Sequence, residues 1–173
     1  LPAVLVPYFQ KRCKDTDKIL KAMYVAAGIG QIIATRSSIS GAAGGCQAEI
    51  GSASSMAAGA LTYLQGGNCE QIATAAAMAM KNLLGLVCDP VAGLVEVPCV
   101  KRNVIGTVNA MSAADMAMAG ITSRIPPDQV MDAMKEVGDK MDASLRETAL
   151  GGLARTEEGV KIAEKMHASQ ENW

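Results

Sequence analysis

The stretch CQAEIGSASSMAAGALTYLQGG, residues 46–67, decides the fold class. Its only charged residue is Glu49, and apolar and polar residues do not alternate at period two, so it reads as helix rather than strand. Gly51, Ser55 and Gly59 recur every fourth residue, which lines one face with side chains small enough for a neighbouring helix to rest against the backbone. Gly66-Gly67 ends it. The preceding helix repeats the device at Ala26, Gly30 and Ala34. Asp15 or Thr16 caps that helix, which runs to about Thr35 with Leu20, Met23, Ala27 and Ile32 on a broad apolar face.

Working outward, Asn68 caps a third helix with Gln71 three residues on, and an Ala- and Met-rich run continues to about Leu84. Gly85 and Cys88-Asp89-Pro90 interrupt it, and a loop leads to Pro98. Cys99 then opens a fourth helix that Gly120 ends after about Ala119. Pro126-Pro127 starts a fifth, with Val130, Met134, Val137 and Met141 as its apolar stripe and Asp132, Lys135, Glu136 and Asp139 on the wet side. A last short helix starts at Thr156. The expected fold is all-α, a compact multi-helix bundle rich in small residues, with residues 1–173 forming a single helical domain.

Composition narrows the function. Half of the 173 residues are hydrophobic but only 3% are aromatic, so Ala, Leu, Ile, Val and eleven Met fill the core. The net charge is −1 with both signs interspersed, and aromatic platforms for bases are nearly absent, which argues against nucleic acid. The longest nearly uncharged helical stretch, residues 22–35, falls short of the roughly 20 residues a bilayer span needs, so no membrane segment is expected. No secretory leader opens the chain, and five cysteines are an odd number, so a reducing compartment, the cytoplasm, is the default. A start at Leu1 without methionine suggests a processed or truncated piece. Between Ser37 and Val100 the charged residues are Glu49, Glu70, Lys81, Asp89 and Glu96, so most of that stretch belongs in the interior or against a partner.

Three cysteines fall at comparable joints: Cys46 after Gly44-Gly45, Cys88 before Asp89-Pro90, and Cys99 after Pro98. At helix ends, backbone amides and partial dipoles stabilise a thiolate, the form that binds metal or attacks carbon. Cys13 and Cys69 read as incidental. The trio has no CxxC pair, so three buried small residues are the plain alternative. His167, near a polar tail, reads as solvated, which leaves three thiolates and one open metal position as the economical metal reading. The amides of residues 41–45, with the hydroxyls of Ser38 and Ser40, can form an anion-binding nest beside Cys46, or simply start a helix. Lys101, Arg102 and Arg146 are the cations placed to balance charge or grip a carboxylate.

The blocks SISGAAGGCQAEIGSASSMAAGAL (38–61), NLLGLVCDPVAGLVEVPCVKRN (82–103), ADMAMAGITSRIP (114–126) and LRETALGGLA (145–154) together resemble the α chain of the iron-sulfur L-serine dehydratases. The resemblance covers nearly the whole chain, at about the C-terminal three-fifths of a family α chain. It implies a four-iron, four-sulfur cluster held by Cys46, Cys88 and Cys99, with the fourth iron left open to substrate. It implies conversion of L-serine to pyruvate and ammonia, starting with loss of water across Cα and Cβ, and substrate contacts from Ser38, Ser40, Gly44, Gly45 and Arg146. It also implies a serine dehydratase β chain or domain as partner, and a homo-oligomer is compatible with it.

The general base is expected outside this chain, because its one histidine, His167, lies outside every matching block, and family α chains carry a threonine- and glycine-rich segment immediately before the position of Leu1. Some members end in a cysteine that reaches the cluster; here Asn172-Trp173 stand at the end, so that occlusion is not expected. Threonine or another hydroxy amino acid stays open as an alternative substrate, since one methyl is worth only ~1–3 kcal/mol of discrimination. A different class, a non-catalytic helical module holding iron-sulfur or zinc for structure or redox sensing, would close the fourth position with protein.

Overall fold

The computed structural model describes residues 1–170. Asn172 and Trp173, and with them the expectation about the chain end, lie outside the described residues. The architecture is all-α. Helices α1 (Pro2–Lys11), α2 (Thr16–Arg36), the single turn α3 (Gly41–Gly44), α4 (Ser52–Leu64), α5 (Cys69–Lys81), α6 (Cys99–Met118), α7 (Pro127–Lys140) and α8 (Glu157–Gln170) follow in order. No strand occurs among the described residues, where an isolated parallel bridge joins Cys88 to Arg146. No helix among them is long and apolar enough to cross a membrane.

Helix α4 is the axis of the bundle, packed by α2, α5 and α6 and buried on nearly every side. Small side chains make this possible. A Cβ on Gly59 would run into Ile29 of α2 and come within 3.4 Å of Ile72 of α5, and one on Gly30 would sit 2.9 Å from Met56 Cε. Serines inside such a crowded interface must find partners. Ser55 Oγ donates to Ala76 O at 2.9 Å and Ser54 Oγ to Gly106 O at 2.8 Å, so α4 is tied to α5 and α6 by hydrogen bonds as well as by contact. Asn109 of α6 adds donors to Ser54 Oγ and Ala79 O.

Local signals explain the boundaries. Asp15 accepts from Lys18 N at the start of α2. Asn68 and Gln71 form a reciprocal capping box on α5, with bonds of 2.9 and 3.0 Å. Four expectations need correction. The sequence reading places no helix before Asp15, yet α1 spans Pro2–Lys11; Pro2 occupies its first turn and Pro7 lies within it, where Val4 and Leu5 are buried against the bundle. The second helix does not run straight from Cys46: a π turn, Gln47–Gly51, comes first. Helix α5 ends at Lys81 rather than near Leu84.

The expected apolar face of α2 points the other way. Leu20, Met23 and Ile32 are 46%, 50% and 48% exposed, whereas Ala22, Ala26 and Ile33 are fully buried. The neighbour α4 is itself lined with small residues, so the close approach selects the small face of α2 and turns the bulky one outward.

Candidate metal centre

Each of the three joint cysteines is held by a different local device. Gly45, just before Cys46, adopts φ +77°, and a Cβ there would lie 2.6 Å from Met141 Sδ and 2.9 Å from Leu86 O. Only glycine passes such a corner. Gln47, 1% exposed, locks the far side: its N–H donates to Leu86 O, its amide NH₂ to Met134 O at 3.0 Å, and its amide oxygen accepts from Gly85 N at 2.9 Å. Cys46 is thereby fixed between the α3 turn, residues 85–86 and α7.

Cys88 is held by backbone. Its N–H donates to Leu145 O and its carbonyl accepts from Glu147 N, both at 2.8 Å, which anchors the LRETALGG segment beside it. Cys99 is the first residue of α6, and one turn later Arg102 Nη1 donates to Val87 O at 2.8 Å and pairs with Asp89 Oδ1 at 2.7 Å. The same nitrogen lies 3.8 Å from Cys46 Sγ. Asp89 is almost fully buried, and its other oxygen accepts from Leu153 N at 2.8 Å. A Cβ on Gly152 would collide with that carboxylate, so the position must be glycine for the latch to close.

Cys46, Cys88 and Cys99 meet in one buried cluster with Ile50, covered by Leu83 and Leu86. All are free thiols. Burial first, then the Cys46 thiol beside it, pushes the Cys88 thiol far above its ordinary value, with Glu147 and Cys99 adding to the effect. Cys99 is raised by burial and by the Cys46 thiol, with Glu49 adding a little, while Arg102 pulls it back. Burial thus favours the neutral form of Cys88 and Cys99 until a cation supplies the countercharge. Soft sulfur donors of this kind suit iron-sulfur, zinc or copper(I) rather than hard cations. Among the described residues, no three His, Cys, Asp or Glu side chains are arranged to grip one metal ion.

The other sequence-selected residues gather partly around this cluster. Arg146 lies on the segment bridged to Cys88; its Nη1 reaches Ala43 O at 3.4 Å, and its Nε is buried without a hydrogen-bond partner. It therefore joins the LRET segment to the α3 turn. Ser40 precedes that turn and accepts, through its carbonyl, the N–H groups of Ala43 and Gly44, while Gly45 N donates to Gly41 O. The amides of Gly44 and Gly45 are thus engaged within the turn. Ser38 Oγ accepts from Ser40 N, and Ser38 and Gly44 line a cavity of about 270 Å³ against α7. Lys101 is exposed, and His167 is exposed on α8, away from the trio's cluster.

Three participants escaped the sequence reading as site residues, Glu49, Asp89 and Glu147, and Gly41 plays another part than the expected anion nest. A Cβ on Gly41 would lie 3.2 Å from Glu49 Oε2, 3.3 Å from Cys88 Sγ and 3.4 Å from Glu147 Oε2, so this glycine keeps a small space open beside the thiol between two carboxylates. Asp89 had a signal, its place next to Cys88, but in Cys-Asp-Pro it reads as turn chemistry.

These features define an all-helical bundle with a buried three-thiol site. The chain belongs to the serine dehydratase alpha chain family, whose model it matches over residues 1–154. It is 54% identical over 166 residues to the probable L-serine dehydratase alpha chain of Bacillus subtilis, which covers 96% of this chain and 55% of that one. It is 53% identical to the probable L-serine dehydratase alpha chain of Latilactobacillus sakei, covering 94% and 78%, and 50% identical to the L-serine dehydratase alpha chain of Peptoniphilus asaccharolyticus, covering 94% and 56%. The chain thus spans about half the length of two of these relatives.

Proposed function

We propose that this chain is the cluster-bearing catalytic portion of an iron-sulfur L-serine dehydratase, converting L-serine to pyruvate and ammonia together with a β chain or domain. One observation carries the reading: Cys46, Cys88 and Cys99, from three separate segments, are buried in one pocket, with the Arg102 guanidinium 3.8 Å from Cys46 Sγ. A four-iron cluster takes one thiolate per iron, so its ligands need not converge on a single metal ion. Three thiolates leave one iron without a protein ligand. When bound, the cluster supplies a Lewis acid for departure of the substrate hydroxyl.

The chain's own residues bind and orient. Arg102 offsets the negative charge of the thiolates and is itself held by Asp89. Arg146 and the hydroxyls of Ser38 and Ser40 receive the substrate carboxylate, and Gly44 and Gly45 shape the turn they stand on. The base that removes the Cα proton is assigned outside this chain.

The test is anaerobic reconstitution with iron and sulfide, followed by absorbance, iron content and pyruvate release from L-serine with the β partner present. The expected result is a brown, air-sensitive species, lost in Cys88→Ser and retained in Cys13→Ser and Cys69→Ser. Added L-serine should perturb its spectrum. A cluster that persists in Cys88→Ser rejects the ligand set, and a spectrum indifferent to L-serine favours the closed site of a structural or redox module.

A further inference from the structure

Helix α6 has two unlike faces. Gly106, Ala110, Ala113, Ala114 and Ala117 are buried against the bundle, whereas Val100, Val104, Ile105, Val108 and Met111 are 49–60% exposed. At 3.6 residues per turn these five fall on one arc of about 140°, shared with Lys101, Ser112 and Asp115. Beyond the helix start, Val95 O accepts from Val100 N; beyond its end, Ile121 N donates to Met116 O. Val95 and Ile121 are exposed too, so the apolar surface continues past both ends. A stripe of this length on water calls for a partner.

The charges on the arc say which partner. Lys101 stands seven residues before Val108 and Asp115 seven residues after it, two turns either way and on the same side. Neither forms an ion pair among the described residues; Asp115 only accepts a 3.3 Å hydrogen bond from Gln65. A twofold axis through Val108 maps each of these charges onto the opposite one of a second copy. A parallel pairing would instead set lysine on lysine and aspartate on aspartate. An antiparallel pairing also places the positive end of one helix dipole beside the negative end of the other.

We propose that α6 is a self-association surface, pairing antiparallel with α6 of a second copy about a twofold axis at Val108, so that Lys101 meets the partner's Asp115 twice. The interface is isologous: Ile105 faces the partner's Met111, Val104 faces the partner's Ser112, and Val108 faces itself. The two ion pairs set direction and register, and the apolar stripe supplies the contact area. Lys101 then serves the interface rather than the charge of the thiol site, and the surface lies on the exposed side of α6, away from the buried Cys99.

Sedimentation equilibrium of the purified protein tests the proposal, with helicity by circular dichroism confirming that each variant is folded. The wild type should be a dimer at micromolar concentration. Lys101→Glu and Asp115→Lys should each weaken the dimer about tenfold or more, because two attractive pairs become repulsive. The double variant K101E/D115K should recover most of the loss, which only a pairing of residue 101 with residue 115 across the interface predicts. In a Cys13→Ser/Cys69→Ser background, Val108→Cys should form an intermolecular disulfide under mild oxidation. A monomer, a dimer indifferent to the single charge variants, a double variant that does not recover, or a residue 108 that cross-links to a β chain instead of to itself overturns it.

Discussion

At the scale of single residues, Asp89 carries more of the site than the cysteines reveal. It binds Arg102 with one oxygen and the Leu153 N–H with the other, partners 13 and 64 residues away, and only 4% of its side chain is exposed. Removing one member of a buried ion pair strands the other, which costs about 3–5 kcal/mol. Asp89→Ala should therefore lower unfolding free energy by about 3 kcal/mol or more in urea, with Asp89→Asn intermediate because it still accepts from Leu153. A loss below about 1 kcal/mol would mean that water already shares the pair. The positions of the cysteines were legible because glycine, proline and helix ends are local features. Asp89 was not, since its partners are defined only by the folded chain.

At the scale of elements, glycine substitution separates two uses of one residue type. Gly28 lies on the exposed face of α2 with nothing within 4 Å of an added Cβ, whereas Gly59 faces Ile29 and Ile72 across the α2–α4–α5 contact. Gly28→Ala should gain about 0.5–1 kcal/mol from helix propensity alone, a rise of roughly 2–4 °C per kcal/mol in thermal midpoint. Gly59→Val should lose about 1–3 kcal/mol by overpacking. Thermal melts of both variants check the contrast, and equal effects would refute it. The extents of α2 and α6 were read well, because caps and breakers flank them, whereas α5 stops a turn short of the expected end. Periodicity misread the face of α2, since hydrophobicity ranks Leu20 and Met23 above Ala22 and Ala26, while the approach of α4 rewards the smaller pair. The π turn after Cys46 has no sequence signature at all; it follows from the anchoring of Gln47 on both sides.

At the scale of the whole molecule, the bundle divides into a firm axis and a lightly held strap. Helix α4 is enclosed, but residues 142–155 are mostly exposed and are attached through Cys88, Asp89, the packing of residues 152–155, with Ala154 buried, on residues 91–93, and the 3.4 Å contact of Arg146 with Ala43. The strap stores strain as well. Glu147 and Ala149 hold φ of +64° and +56°, a left-handed conformation that costs on the order of 1 kcal/mol or more for each non-glycine residue. Opening the strap relieves that strain and gives up few buried contacts, so local opening requires far less than global unfolding. Hydrogen exchange should accordingly find the N–H groups of Cys88 and Glu147 exchanging well ahead of those in the middle of α4. Anaerobic loading with iron and sulfide should slow these two amides and leave α4 unchanged, because ligation at Cys88 holds the segment to which the strap is hydrogen-bonded. Strap amides as slow as those of α4 before loading would show that the two parts open together, and an unchanged Cys88 amide after loading would separate the strap from the thiol site.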